Sequence, residues 1–562
     1  MKKDKTIIKF NILAVILIII FCVAIAPITL QNDTYYTIEV GKHILENGID
    51  MHDPFSWHNI SYTYPHWAYD VFIYLIFNSF GMAGIYVSTC VLAAILGITV
   101  YGVNCKLAKN HILSFLITLA AIYLLKDYIA ARAQLLTFIL FVLAIYFIEK
   151  FLETKKIRYA IGIIIIPIII ANCHVAVFPF YFVLFLPYIA EYLITVITDG
   201  IMNRKLTIRW IKEKIERLSK KSGNEEKIAK LQIKLAKINI QIEKSKEKRK
   251  EAKKEPYKIK ITRNNNTKWL IIIMIICILT GLLTPIGDTP YTYLYKTMQG
   301  NTTQNISEHQ PLVLINQSAT LCVLILYLAI LTFTKTKIRL SDLFMIGGLA
   351  FLMLYSTRQT TMFVLIGSII LNRLSYETLQ RYINKDGIDA KLMKEVTTKV
   401  GIFVISAAVM AASLHFVSKK EGNQFIDEKS YPVAACDYIL ENIDIKSAKF
   451  YNDYNYGSYM LFRGIPVFID SRADLYSPEF NTETGYISDG KDIFMDFINV
   501  SSIATYYDSV FDKYDMTHVI TTAGSKLAML INNRNDDKYK KIYSDDNFVI
   551  YEIQRSSKTV EE

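Results

Sequence analysis

Features typical of soluble, secreted or disulfide-bonded proteins are missing from this sequence. Its seven cysteines are scattered and form no CxxC pair, so the sequence predicts neither a disulfide framework nor a zinc site. No small-residue cleavage site follows the basic start MKKDK, which favours a retained anchor over a signal peptide. No eukaryotic targeting signal is visible, and the composition rich in Lys, Ile and Asn is typical of a bacterium.

Charge is scarce inside the long apolar runs. Ion-coupled transporters normally keep ionisable residues at mid-membrane and often contain inverted repeats, and the sequence shows neither feature. The chemistry of the protein is therefore expected at a membrane surface. A catalytic metal site is not predicted, because the spacing of His52, His58 and His66 matches no common ligand pattern. A requirement for a divalent metal stays open as an alternative.

The sequence does contain enough apolar length for about eleven membrane spans. Its 562 residues are 52% hydrophobic, and a mean hydropathy of +0.26 is too high for an ordinary soluble protein. Uncharged runs of about twenty residues match the thickness of a bilayer core. The predicted spans are 10–30, 82–104, 112–126, 133–149, 157–172, 174–198, 269–285, 313–334, 341–355, 360–372 and 399–417.

Basic residues predict the orientation of these spans, because Lys and Arg near span ends stay on the cytoplasmic side. This rule places the N-terminus in the cytoplasm and the tail from residue 418 outside the cell membrane. Residues 204–268 hold 23 basic and eight acidic residues, and so account for the whole formal net charge of +12. Their helical spacing of apolar residues predicts a solvated or coiled hairpin attracted to anionic lipid, with RNA binding as the alternative.

The composition divides the chain into four parts. Residues 1–203 form an N-terminal transmembrane module with the outer loop 31–81, and 204–268 form a basic cytoplasmic helical insert. Residues 269–417 form a second transmembrane module. In 418–562 the helix-like run YPVAACDYILENI and the strand-like runs AKFYN, VFIDSR, HVITT and FVIYEI predict a small extracytoplasmic α/β domain.

The outer loop is unusually polar for a segment next to a membrane. Its charged residues Glu39, Lys42, His43 and Glu46 share one helical face, which predicts an interfacial helix over 34–47 that ends at Gly48. Asp33 stands at its start, where a helix cap is the alternative to a functional role. The aromatic residues that follow fit either a membrane-interface belt or sugar stacking.

Acids, arginines and histidines from distant segments are all expected at the same outer face. Each of them alone fits a capping or snorkelling residue, but together they suit a phosphate-bearing substrate, since Arg offers a permanently charged fork. The candidate site residues are Asp33, Asp53, Arg132, His174, Glu308, His309 and Arg358.

Several segments resemble a known family. They are NDTYYTIEVGKHILENGIDMHDPFSW, HWAYDVFIYLIF, ARAQLLTFIL, ANCHVAVF, LLTPIGDTP, ISEHQP, STRQTTMFV and FYNDYNYGSYMLFRGIPVFIDSRADLY. Together they look like bacterial multispanning proteins of the GT-C superfamily. These are glycosyltransferases that use polyprenyl-phosphate sugars and are related in fold to protein O-mannosyltransferases, the aminoarabinose transferase of lipid A and oligosaccharyltransferase. The resemblance implies a polytopic α-helical fold with an extracytoplasmic C-terminal α/β domain.

The resemblance also implies roles for particular residues. The superfamily acid after the first span corresponds to Asp33, and Asp53 is a second candidate acid. A tryptophan is expected after the acid of ISEHQP, where this sequence has His309. The sequence thus predicts an inverting transfer to a cell-envelope glycan, lipid or protein, with Asp33 as general base and Arg358, Arg132 and His174 facing the departing phosphate.

Glu308, His309 and Asp53 would then position the sugar or the acceptor. The alternatives to an enzyme are a non-catalytic scaffold with the same architecture and a transporter of lipid-linked glycans. In the tail, a group of charged residues predicts either acceptor recognition or a salt-bridged edge of the domain core. These residues are Arg463, Asp470, Arg472 and Asp474.

Overall fold

The computed structural model describes residues 2–199, 201–219, 223–252, 258–382, 388–481, 492–534 and 537–555. These residues are mostly helical. The helices are α1 (Lys2–Ile25), α2 (Asn32–Asn47), α3 (Trp67–Ala108), α4 (His111–Leu124), α5 (Ala133–Thr154), α6 (Ile157–Cys173), α7 (Phe178–Val183), α8 (Leu186–Asp199), α9 (Ile201–Ser219), α10 (Glu225–Ala252), α11 (Thr267–Leu279), α12 (Thr289–Gln299), α13 (Thr302–Asn305), α14 (Ser318–Phe333), α15 (Leu340–Tyr355), α16 (Thr360–Tyr382), α17 (Ile388–Val396), α18 (Lys399–Ser418), α19 (Val433–Asn442), α20 (Tyr454–Phe462), α21 (Ile493–Ser502), α22 (Tyr507–Lys513) and α23 (Lys526–Arg534). The strands are β1 (Ile259–Lys260), β2 (Ile338–Arg339), β3 (Phe450–Tyr451), β4 (His518–Thr522), β5 (Tyr539–Ser544) and β6 (Phe548–Ile553).

Helices occupy all eleven predicted spans. In the described ranges, six segments are long and apolar enough to cross a membrane: Lys5–Ile25, Trp67–Ala108, Ala133–Thr154, Val175–Ile197, Thr357–Tyr382 and Lys399–Ser418. The helices at the other five positions are shorter, so the number eleven stays a prediction. α3 is broken at Gly81, whose φ of 61° separates an outer half from the half that spans the membrane.

Apolar side chains form two separate cores. The first joins the spans, with Phe10, Ile145 and Phe363 buried at its centre. The second joins α2 and the rest of the outer loop to the C-terminal region, and Ile38 and Ile469 are both fully buried in it. The outer loop 31–81 therefore packs with the C-terminal domain, and the boundary predicted from composition alone is incomplete.

α2 confirms the predicted helix but not its predicted place. It ends where expected, because the N–H of Gly48, at a φ of 82°, donates to the carbonyl of Ile44 at 2.9 Å. Its apolar side chains face protein: the ring of Tyr35 lies 5.0 Å from that of Tyr431 and 5.1 Å from that of Tyr459. The prediction of a membrane-surface helix is wrong, since amphipathic spacing does not distinguish a lipid surface from a protein surface.

Close contact between α2 and α3 fixes the start of α2 beside the spans. A Cβ on Gly41 would stand 2.1 Å from the carbonyl oxygen of Asp70, so only glycine permits this approach of the two backbones. The outer half of α3 thus serves as the platform on which α2 lies.

The tail contains a four-stranded sheet in the order β3-β4-β6-β5. β3 and β4 are parallel, whereas the β4–β6 and β5–β6 pairs are antiparallel. The run VFIDSR, predicted as a strand, does not join this sheet. Instead the N–H of Val467 donates to the carbonyl of Phe55 at 3.2 Å, and its carbonyl accepts from the N–H of Trp57 at 3.4 Å. This segment therefore ties the tail to the outer loop.

The basic insert folds as the predicted helical hairpin. The Nη1 of Arg204 near the start of α9 donates to the carbonyl of Gln241 at 3.1 Å and to the Oγ of Ser245 at 2.9 Å, so the two helices run in opposite directions. Ile211 and Ile242 are buried between them. Whether the hairpin meets lipid or RNA stays a prediction.

Candidate functional site

Two carboxylates and one guanidinium from three distant segments meet at the outer end of the spans. Asp33 lies in the first turn of α2, Arg132 directly precedes α5, and Glu308 lies in a single 3₁₀ turn, Ser307–His309. The Nη2 of Arg132 lies 2.8 Å from Oδ2 of Asp33, and its Nη1 lies 3.4 Å from Oε1 of Glu308. The sequence placed these residues on one face, and the structure brings them into direct contact.

Asp33 does not cap α2. The residue before the helix is Gln31, and no side chain accepts a hydrogen bond from the free N–H groups of this helix start. Instead the carboxylate of Asp33 turns towards Arg132 and remains 22% exposed. Its second oxygen, Oδ1, accepts no hydrogen bond from any residue that the structure describes. One oxygen is thus held while the other is free to meet a substrate.

The charges of this cluster stabilise one another. Burial opposes the charge of Arg132, but Asp33 and Glu308 outweigh it and raise the pKa of the guanidinium. Burial also opposes the charge of Glu308, and here Arg132 and Arg358 outweigh it and lower the pKa of that carboxyl group. The Nε of Arg132 is buried without a hydrogen-bond partner in the described residues.

Arg358 is a cation of this face that forms no ion pair with a described residue. It lies in a 3₁₀ turn, Thr357–Gln359, and is partly buried. In the described part of the chain its guanidinium makes no ion pair, although its field lowers the pKa values of Glu308 and His66. The turn is fixed to the loop of Glu308, because the N–H of Thr357 donates to the carbonyl of Gln310 at 2.9 Å.

Two histidines lie behind these charges. The Nδ1 of His174 is 2.9 Å from the Oγ1 of Thr137, and the ring of His174 lies 5.2 Å from that of His66. Burial, followed by the charges of Arg358 and Arg132, lowers the pKa of His66 to about 4. The sequence weighed His66 only as a metal ligand, and its position beside His174 was not foreseeable from spacing.

We expect protonation of His66 to destabilise the folded protein. From the ordinary pKa of 6.5 down to about 4, the unfolded chain binds a proton at His66 that the folded protein does not, so stability falls as pH falls through this window. The loss should reach up to about 3 kcal/mol. Melting temperatures measured between pH 7 and pH 4 should show a steeper fall for the parent than for His66→Gln.

His52→Gln is the matched control for this effect, since His52 belongs to the same loop and is exposed. It should leave the slope of melting temperature against pH as it is in the parent. An unchanged slope in His66→Gln would contradict the assignment.

His309 follows Glu308 at the position where the resemblance implies tryptophan. It is partly buried, and burial followed by the charge of Arg358 lowers its pKa. The neutral imidazole offers a hydrogen-bonding edge in place of an indole. Its position beside Glu308 and Arg358 agrees with the predicted role in positioning substrate, which stays a prediction.

Asp53 lies in a different cluster. Its Oδ1 is 2.7 Å from the Nη1 of Arg472, its Oδ2 accepts from the N–H of Ser56 at 3.0 Å, and the side chain is fully buried. Arg472 also binds Asp470, with 2.6 Å between Nη2 and Oδ2. Neither oxygen of Asp53 contacts the Asp33–Arg132 pair. This placement gives Asp53 a structural task and offers nothing for its predicted catalytic role.

The charged residues of the tail are engaged in internal contacts. Arg463 pairs with Asp437, at 2.6 Å between Nη2 and Oδ1. Asp474 accepts from the hydroxyl groups of Tyr293 and Thr297, each at 3.0 Å, and from that of Thr302 at 2.9 Å. These contacts favour the salt-bridged core edge over acceptor recognition. Through Asp474 the tail also fixes the segment from α12 to α13, which leads into the turn that carries Glu308.

The tryptophans of the outer loop are partly buried in the second core and do not form a membrane belt. The indole N–H of Trp57 donates to the carbonyl of Phe450 at 3.3 Å, and that of Trp67 donates to Oδ1 of Asn172 at 3.1 Å. These contacts hold the loop against the tail and against α6. Sugar stacking by these two rings stays a prediction.

The carboxylates of Asp33 and Glu308 are oxygen ligands of the type that divalent cations prefer. Here, however, the guanidinium of Arg132 lies between them. Among the described residues no three His, Cys, Asp or Glu side chains are grouped closely enough to hold a metal ion. In this conformation the pair of acids therefore suits an arginine better than a metal.

Comparison with solved structures identifies the archaeal oligosaccharyltransferase AglB from Archaeoglobus fulgidus. Its complex with an inhibitory peptide and a dolichol-phosphate matches with a TM-score of 0.52 and 9% identity, over 97% of this chain and 74% of that chain. The A. fulgidus enzyme tethered with an acceptor peptide containing the NVT sequon matches with a TM-score of 0.50 and 10% identity, over 97% and 74% of the two chains. The apo form of the A. fulgidus enzyme matches with a TM-score of 0.51 and 11% identity, over 92% of this chain and 69% of that chain.

No protein-family model and no curated protein sequence matches this chain. The structural likeness confirms the fold expected from the sequence, which this chain shares with the archaeal oligosaccharyltransferase. Six helices of the described residues are long and apolar enough to cross a membrane, in agreement with the membrane protein expected from the sequence. At this level of identity the likeness establishes the fold alone.

Proposed function

We propose that this chain is a membrane glycosyltransferase that moves a sugar from a polyprenyl-phosphate donor to an extracytoplasmic acceptor. The observation that carries the proposal is the contact of Asp33 with Arg132 beside the unpaired Arg358. A carboxylate with one free oxygen and a cation without a partner are the two groups that such a transfer needs. The dolichol-phosphate in the AglB complex supports a lipid-phosphate donor here.

In the proposed reaction, Oδ1 of Asp33 accepts the proton of an acceptor hydroxyl group. The hydroxyl oxygen bonds to the anomeric carbon as the bond from that carbon to the phosphate oxygen breaks, and polyprenyl phosphate leaves with the electron pair. Attack opposite the leaving group inverts the anomeric centre. No metal is required by this scheme, since the guanidinium groups of Arg358 and Arg132 would stabilise the charge that develops on the phosphate.

Arg132 has a second task in this proposal. By binding one oxygen of Asp33 it fixes the direction of the other, and by binding Glu308 it connects α2 to the loop after α13. Glu308 and His309 are then placed to position the sugar or the acceptor. His174 is held by Thr137 and lies beside His66, with 5.2 Å between the two ring centres.

The purified protein tests the proposal in detergent and in liposomes. Incubation with polyprenyl-phosphate hexoses and pentoses, together with an envelope lipid extract as acceptor, should release polyprenyl phosphate that mass spectrometry detects. A transporter would move the donor between leaflets without consuming it, and a scaffold would do neither. Donor that remains intact with every sugar and acceptor tested would overturn the proposal.

Arg358→Ala should weaken donor binding, and it should do so more strongly than Arg358→Lys. Loss of a charge-assisted contact to phosphate costs about 2 kcal/mol, which is roughly a thirtyfold rise in the donor KM. Arg358→Lys should recover part of the loss, because it keeps the charge but not the fork. Steady-state kinetics with varied donor concentration measure both effects.

Lys126→Ala is the control for charge at the same face, since the acid that Lys126 pairs with among the described residues is the neighbouring Asp127, at 2.6 Å. It should leave the donor KM unchanged. If Arg358→Ala also leaves the donor KM unchanged, Arg358 does not bind the phosphate.

A further inference from the structure

A polar cavity of about 360 Å³ lies at the end of the spans opposite Asp33. Residues at the ends of α3 and α5 and in the first half of α8 line it, together with residues near the starts of α11 and α15. Along α5, Glu149 in this cavity is 17 positions beyond Arg132, a helical rise of about 26 Å. The basic loops on this side predict that it is the cytoplasmic end.

The floor of this cavity is a closed network of opposite charges. The Nη2 of Arg339 lies 2.5 Å from Oε1 of Glu149 and 2.7 Å from Oδ1 of Asp342. Arg373 reaches the same two acids, at 3.2 Å and 3.6 Å. Because each arginine contacts both acids, the floor is close to neutral and rigid. The Nε of Arg373 is buried and has no hydrogen-bond partner within the described ranges.

Two basic side chains at the rim form no ion pair with a described residue, and neither does Glu191, an acid of the lining that accepts from the N–H of Thr262 at 2.9 Å. Lys106 near the end of α3 and Lys109 directly after it both line the cavity, and neither forms an ion pair with a described residue. The ammonium group of Lys106 lies 5.0 Å from the ring centre of Tyr146. Of the other lining lysines, Lys150 is paired with Glu153 at 2.6 Å. The lining as a whole holds five basic and three acidic side chains, so the cavity carries a net positive charge.

The opening lies at the depth of lipid headgroups. Thr267, the first residue of α11, lines the cavity, and Trp269 two residues later is 40% exposed. Tryptophan is enriched at the membrane interface, so its position indicates that level. Beyond it, Ile272 and Ile275 of the same helix are exposed and apolar, as expected of a lipid-facing surface.

We propose that this cavity binds the phosphate-bearing headgroup of an anionic phospholipid. Lys106 and Lys109 contact the phosphate, and the acyl chains lie along the exposed face of α11. A basic pocket between membrane helices is a recognised lipid-binding arrangement. The site is separate from the Asp33 cluster, so it does not depend on the proposed transfer reaction.

Binding of short-chain lipids to the full-length protein in detergent tests this proposal. Dihexanoyl phosphatidylglycerol should raise the melting temperature in a saturable way, whereas dihexanoyl phosphatidylcholine should not. Lys106→Ala/Lys109→Ala should weaken the apparent affinity for phosphatidylglycerol about tenfold or more. The matched control is Lys155→Ala/Lys156→Ala, two exposed lysines on the same side that do not line the cavity, and it should bind like the parent.

Equal loss of affinity in both double variants, or no loss in either, would overturn the proposed site. Inorganic phosphate and glycerol 3-phosphate distinguish a lipid from a soluble ligand. If either of them binds as tightly as phosphatidylglycerol, the ligand is a soluble phosphate and the lipid assignment is wrong. Lys106→Gln/Lys109→Gln repeats the test with side-chain length retained, should the alanine variant fold poorly.

Discussion

Asp33→Asn should lower the rate of sugar transfer by about 10²–10⁴-fold, the range that a general base contributes. Asparagine keeps the shape of the side chain but cannot accept a proton from the acceptor hydroxyl group. The ion pair with Arg132 would also be lost. Because the Asp33 carboxylate is 22% exposed, the cost in stability should stay at about 1 kcal/mol or less. The fall in kcat should therefore appear in a protein that inserts and melts normally.

Asp127→Asn is the control for removal of an acid at the same face. Asp127 is 76% exposed and pairs only with Lys126, so its loss should leave both kcat and the melting temperature unchanged. A second comparison, Arg132→Lys, keeps a charge near Asp33 and should retain part of the activity. If Asp33→Asn transfers sugar at the parental rate, Asp33 is not the base and the proposed mechanism fails.

The contrast between Asp33 and Asp53 shows how far sequence alone could define the site. Both acids belong to the same outer loop, and the resemblance made both of them candidates. The structure leaves Asp33 22% exposed beside Arg132 and buries Asp53 against Arg472, 419 positions away in the sequence. No local pattern could reveal that partner, because the contact depends on how the tail folds back onto the loop.

Local sequence patterns were sufficient to predict the helices and the side of the membrane on which the site residues lie. The apolar run at 133–149 predicted α5, and the basic loops placed Arg132 and Glu308 on the same side as Asp33. The pairing itself was not predictable: Arg132 was expected beside phosphate, and it binds two acids instead. Such a contact is decided by packing between segments that are 99 and 176 positions apart.

Side-chain periodicity also failed to predict the surroundings of two segments that are covered by other parts of the protein. The charged face of α2 predicted an interfacial helix, yet its apolar residues pack on α3 and α20. The strand-like run VFIDSR pairs with the outer loop rather than with the sheet. In both cases the sequence pattern shows which side of the segment is apolar. Which other segment covers that side depends on how the outer loop and the tail pack together in the second core.

Arg472→Ala should destabilise the junction of tail and outer loop by about 3–5 kcal/mol. The guanidinium is 3% exposed and binds two fully buried acids, Asp53 from the loop and Asp470 from the tail. Two hydrogen bonds, at 2.9 Å and 2.6 Å, connect it to Asp470 through Nε and Nη2. Without it, both carboxylates would remain buried without their cation. Denaturant unfolding followed by limited proteolysis of the tail should measure this loss.

Arg463→Ala is the matched control, because Arg463 forms one ion pair with Asp437, an acid that is 54% exposed. Its removal should cost less than about 1 kcal/mol, since an exposed acid is resolvated by water. Arg472→Ala should also reduce transfer, because α2 carries both Asp33 and the surface that the tail covers. A tail that is as resistant to protease in Arg472→Ala as in Arg463→Ala would show that the buried cluster does not hold the loop in place, and that α2 is kept in position by its contact with α3.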